Sequence, residues 1–210
     1  MISSLSKTFA DVAIMLPAFL AALSFHEFFH ALAATILGDP TPKRLGRLTL
    51  NPMAHIDWMG LLFLFIFRIG WAQPVVFDNR NFKHPRLYSV LTALSGPLAN
   101  FILALASLYV IKYLSCLGLG ATAMMTFMQI FRAIAYVNIM LGVFNLLPIP
   151  PLDGSHILTV FFADKYPEIV GWFYRYSIFI LLFLFLLPQT RLLFIYLIMT
   201  AESILQCLVF

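Results

Sequence analysis

Residues 12–37 form one long apolar run, and inside it, in the stretch His26-Glu27-Phe28-Phe29-His30, stand three residues that do not belong in hydrocarbon, His26, Glu27 and His30. As a helix the run covers roughly 39 Å, more than the ~30 Å apolar core of a bilayer, so a membrane is the environment in which it folds. Two imidazoles and a carboxylate destabilise such a helix unless something compensates them, and a bound cation is the most direct compensation. Positions 26 and 30 are one turn apart and share a face, so both rings converge on one point, with Glu27 beside them within reach of a water there. His26 precedes Leu37 by roughly 16 Å along the axis, below the membrane surface but nearer the C-terminal end. Gly38-Asp39-Pro40 then stops the helix.

The rest of the chain has the same character. Of its 210 residues 62% are hydrophobic and 10% charged, and the mean hydropathy of +0.94 excludes a soluble globular domain. Further spanning helices are expected at residues 88–113, 124–147, 172–187 and 191–208. Residues 58–69 are too few to cross as a helix and read as a re-entrant or interfacial element, while the alternation in Arg47-Leu48-Thr49-Leu50 reads as a short strand. The expected fold is therefore an all-α polytopic membrane protein with about five to six transmembrane helices and a short re-entrant or β-containing element at the membrane edge. The apolar run continues through His30, so the N-terminus reads as a helix and not as a cleaved leader. Cys116 and Cys207 have no metal-site spacing and read as packing residues.

Charge orients the chain. Lys43, Arg44, Arg47, Arg68, Arg80, Lys83 and Arg86 follow the first helix, and Lys165 and Arg175 follow Asp153, nine in all against three (Lys7, Lys112 and Arg191) assigned to the opposite side. The bias puts the loops nearest His30 in the cytoplasm, and it accounts for the net charge of +4 without a nucleic-acid partner.

A catalytic zinc takes three protein ligands and keeps one position open. His26 and His30 supply two. Asp153 is the candidate third: it is acidic, it follows the helix-breaking Pro148, Pro150 and Pro151, and it reaches the same leaflet. Its other reading is an N-cap for a helix over 155–162; beside His26 and His30 the ligand reading is the stronger. His156 is an alternative ligand or a supporting donor, and His55 and His84 read as loop residues. A bundle in which His26, Glu27 and His30 merely bond one another would leave adjacent polar groups at risk of several kcal/mol each. Zinc brings the pKa of a coordinated water to about 7, and Glu27 is placed to act as general base on it. Asn145, eight residues before Asp153, is either an oxyanion donor or an interhelical polar contact.

These residues resemble the site-2 protease family of intramembrane zinc metalloproteases. The likeness rests on His26-Glu27-Phe28-Phe29-His30 in a first core helix, Ser95-Gly96-Pro97-Leu98-Ala99-Asn100 opening a middle helix, and Asn145 through Gly154 closing another. It covers residues 10–160. The resemblance implies a three-helix catalytic core, one Zn2+ per chain held by His26, His30 and Asp153, Glu27 as base, and Asn100 and Asn145 assisting substrate or transition-state binding. It implies substrates that are themselves transmembrane proteins, cleaved in a bacterial inner (plasma) membrane with the active site toward the cytoplasm. Residues 1–210 are expected to form a single transmembrane metalloprotease domain, with its catalytic core over about 10–160 and C-terminal helices over about 165–210. Neither a PDZ nor a CBS domain is expected, and the chain resembles the sporulation-type members without their appended domain.

Backbone carbonyls in an intact helix are already bonded, so a protease in a membrane needs an extended segment to attack, and residues 45–51 offer an edge for one. Two other functions compete. A transporter with a zinc site would show an internal repeat with paired broken helices, and no second copy of either motif is present. A non-proteolytic binding scaffold has no need of a filled set of catalytic positions.

Overall fold

The computed structural model describes residues 2–60, 62 and 72–210. Five of its helices are long and apolar enough to cross a bilayer, and the chain is an integral membrane protein. In order the helices are α1 (Ile2–Ile36), α2 (Thr41–Arg44), α3 (Pro85–Leu114), α4 (Ala121–Asn145), α5 (Ser155–Phe162), α6 (Pro167–Leu186) and α7 (Pro188–Val209). Pro17 and Pro97 lie inside α1 and α3, which neighbouring helices make tolerable at membrane depth.

Small side chains set the packing of the inner three helices. Ala18 and Ala22 of α1 meet Ala133 and Val137 of α4. In lipid, helix association comes from close van der Waals contact and not from water exclusion, so alanines at the seam let the backbones approach. On the outer side α7 fills the groove between α3 and α4: Ile198 packs on Ala104, Ile139 and Val143, and Val209 packs on Leu108 and Ala135. Phe194 meets Phe144 near the start of α7, and Tyr109 donates to the Leu208 carbonyl at its end. Helix α7 thus runs parallel to α3 and antiparallel to α4. Arg191, expected on the side of Lys112, instead lies at the opposite end of the bundle, where α3 begins and α4 stops. The outward faces are apolar, as in Ile178, Phe179, Phe183 and Leu186 of α6, which is the surface a bilayer solvates.

The short strand expected at Arg47-Leu48-Thr49-Leu50 does not form. Arg47 N–H bonds the Pro42 carbonyl at 2.9 Å, Thr49 N–H bonds the Arg47 carbonyl at 2.9 Å, and His55 Nε2 lies 2.8 Å from the Thr49 carbonyl. The segment therefore wraps around the fully buried His55. Local bonds of this kind satisfy the backbone without a partner strand, which alternation in four residues does not supply. Among the described residues the one β-bridge joins Ile56 and Ala72. Of the element expected at 58–69, residues 61 and 63–69 lie outside the described residues.

Residues 73–78 form neither helix nor strand, and Val75 among them bonds Glu27 of α1. The far end of this stretch is tied by Asp39, just past α1, whose buried carboxylate accepts from Thr41 N–H (3.0 Å), Thr41 Oγ1 (2.6 Å), Asp78 N–H (2.7 Å) and Asn81 Nδ2 (2.7 Å). Burial raises the Asp39 pKa, and these donors outweigh it, holding the carboxyl below its ordinary value.

Candidate metal centre

Helix α1 presents His26 and His30 on its face toward α3, both buried. The ring nitrogens facing away from each other are fixed first. His30 Nδ1 lies 2.7 Å from the Thr92 carbonyl, an oxygen that only accepts, so Nδ1 carries the proton. Pro97 has no N–H for the Ala93 carbonyl and interrupts the ladder of α3 beside Thr92. His26 Nδ1 lies 2.7 Å from Asn100 Oδ1. The orientation of that amide follows from its other end, because Asn100 Nδ2 donates to the Ala22 carbonyl (3.1 Å) and to Asn138 Oδ1 (2.8 Å). Asn138 is fixed in turn by donating Nδ2 to the Ile134 carbonyl at 2.8 Å. Both imidazoles are thus held with Nδ1 protonated and Nε2 bearing a lone pair.

The two Nε2 atoms face each other at 2.9 Å, and Asp153 Oδ2 stands 3.1 Å from His26 Nε2 and 3.3 Å from His30 Nε2. That oxygen is buried without a hydrogen-bond donor. Three lone pairs converging at this distance repel one another unless a cation sits among them, and two neutral imidazoles with one carboxylate are a donor set suited to zinc. Each of the three residues offers one ligand atom, and these lie within 4.8 Å of one another.

Asp153 reaches this position because α4 ends at Asn145 and the Pro-rich segment folds back under it. Gly154 N–H bonds the Asn145 carbonyl at 2.7 Å. A Cβ on Gly154 would stand 2.3 Å from the Leu146 carbonyl oxygen, so this turn admits glycine alone. The N-cap position of α5 falls on Gly154 with no side-chain cap, which leaves the Asp153 carboxylate to the histidines. Gly96 serves the opposite wall: a Cβ there would lie 2.4 Å from His30 Nε2 and 2.7 Å from His26 Cε1.

Glu27 is buried, and its Oε2 accepts the Val75 N–H at 3.0 Å. Glu27, His26, Asp153 and Asn145 share a cavity of about 400 Å³. Asn145 Nδ2 donates to the Leu141 carbonyl at 3.1 Å and keeps a second N–H.

The sequence motifs sit somewhat differently from expectation. The Ser95-Gly96-Pro97-Leu98-Ala99-Asn100 motif does not open its helix, since α3 begins at Pro85. Asn100, expected to assist substrate or transition-state binding, is fully buried behind His26, with its amide committed to protein partners and outside the cavity lining. His156 lies against Phe77, with ring centroids 5.8 Å apart, and burial pushes its imidazole pKa down against the pull of Asp153. Asn138 and Val75 were not anticipated. Asn138 had a legible signal, an amide at the apolar centre of a spanning helix two turns before Asn145. Val75 had none, because a main-chain N–H is the same in every residue.

Comparison with known proteins places this geometry in context. Residues 114–185 match the model of peptidase family M50. The chain is 38% identical over 141 residues to YwhC of Bacillus subtilis (strain 168), covering 66% of this chain and 64% of YwhC. It is 31% identical over 146 residues to Rip2 of Mycolicibacterium smegmatis, covering 67% of this chain and 54% of that protein. With Rip2 of Mycobacterium tuberculosis (strain H37Rv) it shares 30% identity over 191 residues, 86% of this chain and 70% of that one. All three are named as candidate zinc metalloproteases. The chain spans less than two thirds of the length of the first two. No solved structure matches the chain.

Proposed function

The chain belongs to peptidase family M50, the site-2 protease family, and we propose that it is a zinc metalloprotease that hydrolyses peptide bonds within or next to transmembrane segments of membrane-protein substrates, as in regulated intramembrane proteolysis. The observation that carries this reading is the convergence of His26 Nε2, His30 Nε2 and Asp153 Oδ2, with both Nδ1 atoms committed as donors elsewhere.

His26, His30 and Asp153 would hold one Zn2+, which supplies Lewis acidity and brings a coordinated water to a pKa of about 7. Glu27 takes the proton from the attacking water and returns it to the leaving amine. The Val75 N–H holds Oε2 and leaves Oε1 to carry that proton. Asn145 lines the cavity and keeps one N–H, which can stabilise the oxyanion of the tetrahedral carbon. Thr92, Asn100 and Asn138 act on the reaction only by fixing the two rings.

The charge bias supports an active site toward the cytoplasm in a bacterial inner membrane, and moving Arg191 to the end of the bundle where α3 begins increases that bias.

The test is metal content together with cleavage of a single-span test substrate, for the wild type and for Glu27→Gln. The expected result is about one zinc per chain in both and cleavage by the wild type alone. Equal turnover in both proteins would remove Glu27 from the chemistry.

A further inference from the structure

The cavity beside the three ligands is divided along its length. Its polar groups are Glu27, His26, Asn145 and Asp153, and beyond them toward the N-terminal end of α1 its walls are Phe19 and Leu23 of α1 and Leu141 of α4, with Phe144 beside Asn145. Phe19 precedes His26 by about two turns, roughly 10 Å along α1. Leu141 precedes Asn145 by one turn on α4, which runs parallel to α1. The apolar end therefore extends from the reaction centre toward the N-terminal end of α1, across the midpoint of its apolar span. Phe144 is braced from behind by Phe194 of α7, at a centroid distance of 6.1 Å.

We propose that this apolar end is a binding subsite for a large aliphatic or aromatic side chain, carried by the substrate residue beside the scissile bond on the side facing the N-terminal half of α1. The proposal rests on the peptidase reading and adds a substrate preference to it. A void of ~150 Å³ already accepts a benzene ring, so a cavity of about 400 Å³ takes an aromatic side chain together with the peptide that carries it. No charged group lies among Phe19, Leu23, Leu141 and Phe144, so a charged side chain there would be desolvated without a partner and rejected. A small side chain would leave the walls without contact, and each missing methylene in such a pocket lowers kcat/KM by about 10- to 200-fold at most.

The experiment uses the purified zinc-loaded protein and a single-span peptide whose cleavage site is mapped by mass spectrometry. The residue beside that bond on the side facing the N-terminal half of α1 is varied among Ala, Leu, Phe, Trp and Asp. Leu and Phe are expected to be cleaved with kcat/KM about tenfold or more above Ala, and Asp to be the poorest. Leu23→Trp, which fills the apolar end, should bring the Phe to Ala ratio down toward one, and Phe19→Ala, which enlarges it, should raise the ratio for Trp over Leu. Leu141→Trp fills the same space from the opposite wall and replaces Leu23→Trp should that variant not load zinc. Affinities of the same peptides for Glu27→Gln should follow the same order. Ratios unchanged in zinc-loaded variants, with cleavage still dependent on Glu27, overturn the subsite and leave the peptidase reading intact. Cleavage independent of Glu27 overturns both.

Discussion

Gly96 stands against His30 so closely that a Cβ added to it would lie 2.4 Å from Nε2, the atom that faces His26 and Asp153. The contact is made by the backbone of α3, so it relaxes only by moving a helix or the imidazole.

Gly96→Ala should therefore displace the rings at a cost of about 1–3 kcal/mol, typical of overpacking. The expected outcome is a helical protein by circular dichroism with well under one zinc per chain by atomic emission, and cleavage reduced in proportion. Full zinc occupancy in this variant would contradict the geometry.

Asn100→Ala removes the acceptor that fixes the His26 tautomer and leaves Asn138 Oδ1 without its donor. Zinc affinity should fall about 10- to 100-fold, as for loss of a partner behind a metal-ligating histidine. Asn138→Ala should give a smaller loss, and the double variant should lose less than the sum, because both act through one hydrogen-bond chain. Competition with a calibrated chelator measures all three.

Asp153→Asn preserves the shape of the side chain and removes its negative charge. With two neutral imidazoles left, zinc content should drop sharply and cleavage with it, whereas Gly154→Ala should act earlier, on folding of the turn, since the added carbon would meet a main-chain oxygen at 2.3 Å. Thermal unfolding in detergent separates the two: Asp153→Asn should unfold near the temperature of the metal-stripped wild type, and Gly154→Ala well below it.

Asp39 gives a pH dependence whose sign follows from its partners. Its folded-state pKa is below the ordinary 3.8 because its donors outweigh the effect of burial, so it binds its proton more readily when unfolded. Its stabilisation is complete above pH 4–5 (roughly one unit past the unfolded value) and is lost as pH falls through the folded value. Asp39→Asn should lower the unfolding temperature at neutral pH and flatten its acid dependence. An unaltered acid limb would show that the contacts to Thr41, Asp78 and Asn81 contribute nothing to stability.

The motif at His26, Glu27 and His30 and the spanning helices were legible because each signal is local: a run of apolar residues or a one-turn spacing carries its meaning within a single helix. Asp153 was legible as one of two alternatives, since proline and glycine mark a broken helix but do not say which way its carboxylate turns. The strand at residues 47–50 failed for the complementary reason, as a four-residue alternation is satisfied equally well by turns closing around His55.

By itself, then, the amino-acid order determined that this chain lives in a bilayer, that α1 carries a pair of imidazoles on one face, and which carboxylates are available to them. The tertiary structure alone decided that Asn100 lies behind His26 and not in the cavity, that Val75 gives its N–H to Glu27, and that α7 runs parallel to α3 with Arg191 at the opposite end of the bundle from Lys112. These are relations between segments distant in sequence. They depend on which helix faces close against each other, and that is set by the volumes of residues such as Ala22, Gly96 and Ala133, whose small side chains have no periodic signature to announce the partner they admit.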